Sequence, residues 1–116
     1  MWSLFASCDG DLMEGEPKDL FDRAAFDVPE AQSASMMGNP SYKVEGKLFM
    51  SLIGEEAIFK LQGEIHTEAL ALDGAHLFNP KKNGTPMKEW VQVPFDHAGQ
   101  WPRFAVAASS YVRSLL

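Results

Sequence analysis

Three short strand-like segments separated by glycine turns constrain the fold more than any other feature of this chain. The segments are residues 41–45, 47–53 and 57–61. The turns between them contain Gly46 and Gly54, and glycine readily adopts the backbone conformations of tight turns. Such short connections join antiparallel neighbours, because a parallel crossover needs a dozen or more residues. The pattern therefore predicts an antiparallel sheet.

Segment 47–53 is apolar on both of its faces. Alternation places Leu48, Met50 and Leu52 on one face and Lys47, Phe49 and Ser51 on the other. We therefore expect this strand inside the sheet rather than at its edge. Residues 33–37 give a weaker signal and are interpreted as a lead-in that ends at the break Gly38-Asn39-Pro40.

Helical patterns flank these strands, and two further strands complete the predicted domain. Pro17 suits the first position of a helix. Pro29 disfavours helical geometry in the residue before it, so a helix is predicted over 17–27. Further helices are predicted over 64–72 and 101–116, with strands at 75–78 and 87–93 and a loop at 79–86. The result is a two-layer α+β domain with a five-stranded antiparallel sheet and three helices, in the order α-β3-α-β2-α.

Negative charge is concentrated at the start of the chain. The 116 residues carry a net charge of −6, and residues 1–30 hold eight acidic and two basic residues, whereas residues 31–116 are balanced. Residues 1–15 show no periodicity and are predicted to be a flexible acidic tail ahead of one domain over 16–116. The single cysteine, Cys8, precludes an internal disulfide. The sequence shows no export signal and no apolar run of membrane-spanning length, so the chain is expected to be cytoplasmic.

Several short motifs occur in an order that resembles a known family. They are Met36-Met37-Gly38, Gly46-Lys47-Leu48-Phe49-Met50, Phe59-Lys60-Leu61, Leu77-Phe78-Asn79-Pro80 and Pro86-Met87-Lys88-Glu89-Trp90-Val91-Gln92-Val93-Pro94. Over about residues 33–116 the chain resembles the N-terminal domain of TfoX/Sxy proteins and the related MmcQ/YjbR-like proteins. The resemblance implies a secretion-chaperone-like α-β3-α-β2-α fold, in agreement with the order above.

That resemblance implies a regulatory module rather than an enzyme. TfoX/Sxy proteins regulate natural competence and are thought to act through protein partners, and their full-length forms carry a second helical domain that these 116 residues do not include. The expected function is a small, non-catalytic domain that binds a protein partner. Direct nucleic-acid binding and an unrecognised small-ligand or enzymatic role are the alternatives.

Lysines at or near the family motifs provide the candidate surface for an anion or a partner. This surface comprises Lys47, Lys60, Lys81, Lys82, Lys88 and Trp90. Lysines on the solvent face of a sheet are common without any such role. Trp90 is either a half-buried packing residue or an aromatic side chain at the rim of a binding surface, and packing is favoured.

No pattern in the chain predicts catalysis, a metal or a cofactor. His66 projects away from Glu64 and Glu68 on the predicted helix, and no nucleophile motif surrounds Ser109 or Ser110. The predicted helices carry few cations, so specific binding to duplex DNA is not expected. Three Trp, eight Phe and six Met are many for one small core, and a homodimer is predicted.

Overall fold

The structure is a computed structural model that describes residues 16–79 and 87–115. The helices of this part of the chain are α1 (Pro17–Ala25), α2 (Glu64–Leu70) and α3 (Trp101–Ser114), with a 3-10 helix (Phe95–Gln100) leading into α3. The strands are β1 (Gln32–Met36), β2 (Asn39–Val44), β3 (Lys47–Ile53), β4 (Glu56–Lys60), β5 (His76–Phe78) and β6 (Met87–Val93). The predicted tail 1–15 and most of the predicted loop 79–86 lie outside the described residues.

The strands form one antiparallel sheet in the order β1-β2-β3-β4-β6-β5. This arrangement confirms the α+β class and the interior position of β3. The expected number of five strands is wrong, because the segment interpreted as a lead-in forms β1 and makes the sheet six-stranded. Met37 and Gly38 both have positive φ, 50° and 82°, and they form a two-residue turn that pairs β1 with β2.

A bulge in β3 changes which side chains face the core. Tyr42 is paired with Met50 and Lys43 with Leu48, so Phe49 has no residue opposite it in β2. Phe49 and Met50 are both fully buried in the core cluster that includes the helices. The expectation that these two neighbours face opposite ways is therefore wrong, because an extra residue interrupts the two-residue repeat of a strand.

The main core lies between the sheet and the helices. α1 begins at Pro17 and buries one side, Leu20, Phe21, Ala24 and Ala25. α3 buries Trp101, Phe104, Ala105, Ala108, Ser109 and Val112. The ring of Phe104 lies 5.7 Å from that of Phe59 on β4, so α3 packs directly on the middle of the sheet.

A polar contact also joins α1 to β2. The hydroxyl of Tyr42 donates a hydrogen bond of 2.8 Å to Asp22 Oδ1, and the Tyr42 ring lies 5.5 Å from that of Phe21. Asp22 also accepts a hydrogen bond of 2.7 Å from Lys18 on the same helix. The orientation of α1 on the sheet is therefore held by packing and by a hydrogen bond to a charged acceptor.

A second apolar cluster forms on the sheet away from these helices. Its buried members are Ile58, Phe78 and Trp90, and Met36, Leu48 and Ile53 pack against them. All six side chains come from strands, and none of the described helices contributes to this cluster. The sheet is thus apolar on both faces.

Candidate functional site

The structure brings three of the predicted surface residues to one cavity. Lys47, Lys60 and Trp90 line a hollow of about 350 Å³, which we call the lysine pocket. The remaining lining residues are Gly46, Leu48, Val112 and Leu115. The pocket therefore lies where β3 begins and β4 ends, next to the last turn of α3.

The ammonium group of Lys60 is only loosely paired. Its Nζ lies 3.9 Å from Glu89 Oε1, and its side chain is 27% exposed. Glu89 also accepts a hydrogen bond from the Tyr111 hydroxyl, and that bond, with smaller effects of burial and of the Glu89 charge, raises the pKa of Tyr111. Glu89 already accepts a hydrogen bond from Tyr111 and lies 3.9 Å from the Lys60 ammonium group. The three N–H donors of Lys60 therefore remain suited to another acceptor.

Trp90 is a packing residue as well as part of the pocket wall. Its side chain is buried, and it belongs to the second apolar cluster with Ile58 and Phe78. It lies opposite Lys60 in the pairing of β4 with β6. The indole therefore gives the pocket a rigid wall next to a cation.

The pocket combines positive charge with apolar surface. Lys47 and Lys60 supply the cations, and Leu48, Val112 and Leu115 supply aliphatic side chains. Leu115, the residue that follows α3, is 54% exposed. Such a lining suits a ligand that carries a carboxylate beside an apolar group.

The other predicted lysines are not part of this pocket. Lys88 is exposed on β6, and its backbone carbonyl lies 2.8 Å from His66 Nε2. Lys81 and Lys82 lie outside the described residues. The predicted surface is therefore only partly assembled within the described chain.

A larger hollow at the opposite end of the sheet was missed by sequence reasoning. It measures about 690 Å³ and is lined by Met37, Asn39, Ile53, His76, Phe78, Asn79 and Gln92. Gln92 donates a hydrogen bond of 2.6 Å to Glu56, which fixes one side of the hollow. No local signal marks these residues, since they come from separate strands and turns.

Polar side chains on and near the helices make contacts within the fold. The Ser109 hydroxyl donates to the carbonyl of Val106 at 2.8 Å, and His97 Nε2 lies 2.9 Å from the carbonyl oxygen of Asp73. Glu68 is paired with Arg103 at 2.9 Å. Within residues 16–79 and 87–115, no group of three or more His, Cys, Asp or Glu side chains is placed to hold a metal ion.

Comparisons with protein-family models, with curated proteins and with solved structures return no match to this chain. The resemblance to the TfoX/Sxy N-terminal domain therefore stays a prediction from its motifs. Among the helices that the structure describes, none is long and apolar enough to cross a membrane.

Proposed function

We propose that this chain is a non-catalytic binding domain that recognises a protein partner through the lysine pocket. The observation that carries the proposal is the meeting of Lys47 and Lys60, which lie on different strands, in one hollow with Trp90. The favoured ligand is a segment in which a carboxylate side chain is next to an apolar residue. A regulatory role of the kind implied by the TfoX/Sxy resemblance, and a secretion-chaperone-like fold, are part of this proposal.

The charge distribution supports a protein segment over duplex DNA. On α1 and α3, Lys18, Arg103 and Arg113 each lie within 4 Å of a carboxylate, at 2.7, 2.9 and 3.9 Å. These cations are therefore partly neutralised, and a hollow of about 350 Å³ admits a side chain rather than a double helix.

A minimal peptide tests the pocket directly. The amide-capped tripeptide leucyl-glutamyl-leucine, titrated against the isotope-labelled protein, should shift the NMR signals of Lys47, Lys60 and the Trp90 indole. Its glutamine counterpart should bind about tenfold more weakly, because a charge-assisted hydrogen bond contributes about 1.5–3 kcal/mol. The double substitution Lys47→Gln/Lys60→Gln should remove the difference between the two peptides.

Lys43→Gln is the matched control, because Lys43 is a half-buried lysine of the same sheet that does not line the pocket. Equal binding of the two peptides, or unchanged discrimination in the double variant, would contradict the proposal. If free glutamate binds as tightly as the peptide, the pocket takes a small acid and the protein-partner interpretation is wrong. Sequence-selective binding of duplex DNA that persists at raised salt would favour the nucleic-acid alternative.

A further inference from the structure

Within residues 16–79 and 87–115, strand β1 forms an edge of the sheet that lacks the usual protection against pairing. In this part of the chain β1 is paired only with β2, and its sequence Gln32-Ser-Ala-Ser-Met36 contains no charge and no proline. Natural edge strands are normally shortened, bulged, charged or covered, because their free backbone groups recruit further strands. The opposite edge, β5, follows this rule, since it has only three residues.

The turn that ends β1 determines which backbone N–H and C=O groups point outwards from this edge. Met36 and Asn39 close the two-residue turn and form a hydrogen-bonded pair. Because hydrogen-bonded residues alternate along an antiparallel strand, Gln32, Ala34 and Met36 bond towards β2. Ser33 and Ser35 consequently direct their N–H and C=O groups outwards, and both side chains are exposed.

We propose that a second copy of this chain pairs with β1 in antiparallel orientation, around a two-fold axis at Ala34. Ser33 of each copy then lies opposite Ser35 of the other, and the two pairs exchange four backbone hydrogen bonds. A two-fold contact places a surface against itself, and an uncharged strand meets no like charge there. The two sheets join into one of twelve strands.

Of the large apolar side chains that the structure describes, the two most exposed lie at opposite ends of this edge. Met37, in the turn after β1, is 73% exposed, and Phe26, in the segment before β1, is 88% exposed. Antiparallel pairing about Ala34 places Met37 of one copy opposite Ala31 of the other. Ala31 lines a hollow of about 230 Å³ together with Phe26 and Tyr42, and the carboxylates Asp22 and Glu30 line it as well.

This arrangement favours a second copy over an unrelated strand. Met37 and the hollow at Ala31 belong to the same chain. Only an antiparallel two-fold contact places the Met37 end of β1 in each copy against the Ala31 end of β1 in the other. Each interface would bury two Met37 and two Phe26 side chains, one of each from either copy. The contact lies apart from the lysine pocket, so it is independent of the function proposed above.

The oligomeric state over a dilution series tests the proposal. Analytical ultracentrifugation of the full chain should show a reversible shift from the mass of one chain to twice that mass as concentration rises. The double substitution Ser33→Lys/Ser35→Lys places like charges opposite each other and should leave the protein monomeric. Ser110→Lys, on an exposed position of α3, is the matched control and should dimerise normally.

A second variant separates pairing from folding. Met37 has a φ of 50°, a conformation that asparagine adopts more readily than methionine. Met37→Asn should therefore weaken dimerisation at least about tenfold while the thermal midpoint of the monomer is unchanged or higher. In the wild-type dimer, the amides of Ser33 and Ser35 should exchange with solvent more slowly as concentration rises.

Three results would overturn the proposal. They are a monomeric wild-type chain at all concentrations, a dimer that both edge variants leave intact, and a dimer in which the Ser33 and Ser35 amides exchange as fast as in the monomer. A monomer that instead binds an extended peptide at β1 would assign the edge to a different partner. The Lys47→Gln/Lys60→Gln chain should dimerise like wild type. A failure of the dimer proposal can therefore be distinguished from a failure of the proposed peptide binding at the lysine pocket.

Discussion

The Tyr42 hydroxyl is expected to stabilise the fold by about 1 kcal/mol, and Tyr42→Phe measures this contribution. The substitution keeps the ring that lies 5.5 Å from Phe21 and removes only the hydrogen bond to Asp22. A hydrogen bond to a charged group contributes about 1.5–3 kcal/mol when both partners are well buried. Because the Asp22 side chain is 39% exposed and also accepts from Lys18, water and Lys18 replace part of the contact.

The same hydroxyl gives the stability a defined dependence on pH. Burial, followed by the hydrogen bond and the charge of Asp22, raises the pKa of Tyr42 from 10.0 to about 12. The folded chain therefore holds this proton more tightly than the unfolded chain does. The resulting stabilisation is complete below pH 10 and is lost as the pH rises through about 12. Because the Tyr42 side chain is partly exposed, solvent screening reduces the size of this stabilisation.

Urea denaturation at neutral pH and across the alkaline range provides the assay. Tyr42→Phe should be less stable than wild type at neutral pH, and the difference should shrink as Tyr42 ionises in the wild-type chain. The chain has two tyrosines, so Tyr111→Phe leaves Tyr42 as the sole source of tyrosinate absorbance. A Tyr42→Phe chain with wild-type stability and wild-type alkaline destabilisation would refute the reasoning.

Four further predictions concern the core, a turn, the tail and nucleic acid. Phe59→Ala removes a fully buried ring in contact with Phe104 and should lower the free energy of unfolding by about 3–5 kcal/mol in urea titrations. Gly46→Ala should lower stability by about 1–2 kcal/mol, because Gly46 has a φ of 83°, whereas Val106→Ala, at an exposed position of α3, should change it little. A chain that begins at Glu16 should melt within a few degrees of the full chain, and a large loss of cooperativity would show that residues 1–15 contribute to the core. Fluorescence anisotropy at two salt concentrations should show no sequence-selective binding to duplex DNA, and submicromolar, sequence-dependent affinity at the higher salt would contradict this.

Sequence reasoning could predict members of the candidate site but not their arrangement. The motifs select Lys47, Lys60 and Trp90, and the structure places all three around one pocket. The contributions of Val112 and Leu115 were not predicted, because they come from the end of α3 and the residue after it, more than 20 residues further along the chain than Trp90. Contact between such distant segments depends on how the helix lies against the sheet.

The start of α1 and the tight turns were determined by the sequence alone. Pro17 starts α1 because its fixed φ suits the first turn, whereas α1 ends at Ala25, two residues before the end that Pro29 predicted. Gly46 and Gly54 have positive φ, 83° and 63°, at the turns that precede β3 and β4. These features depend on backbone sterics within a few residues, so they can be predicted from the local sequence.

Only the tertiary structure decided that β1 is a strand and which side chains of β3 face the core. Residues 32–36 have little intrinsic tendency to form a strand, and it is hydrogen bonding to β2 that makes them one. The run Leu48-Phe49-Met50 is apolar at every position, so its sequence fits a regular strand and a bulged strand equally well. The pairing with β2 leaves Phe49 unpaired, and both Phe49 and Met50 then enter the core. Strand pairing and burial join residues that are far apart in the chain, which is why local pattern could not determine them.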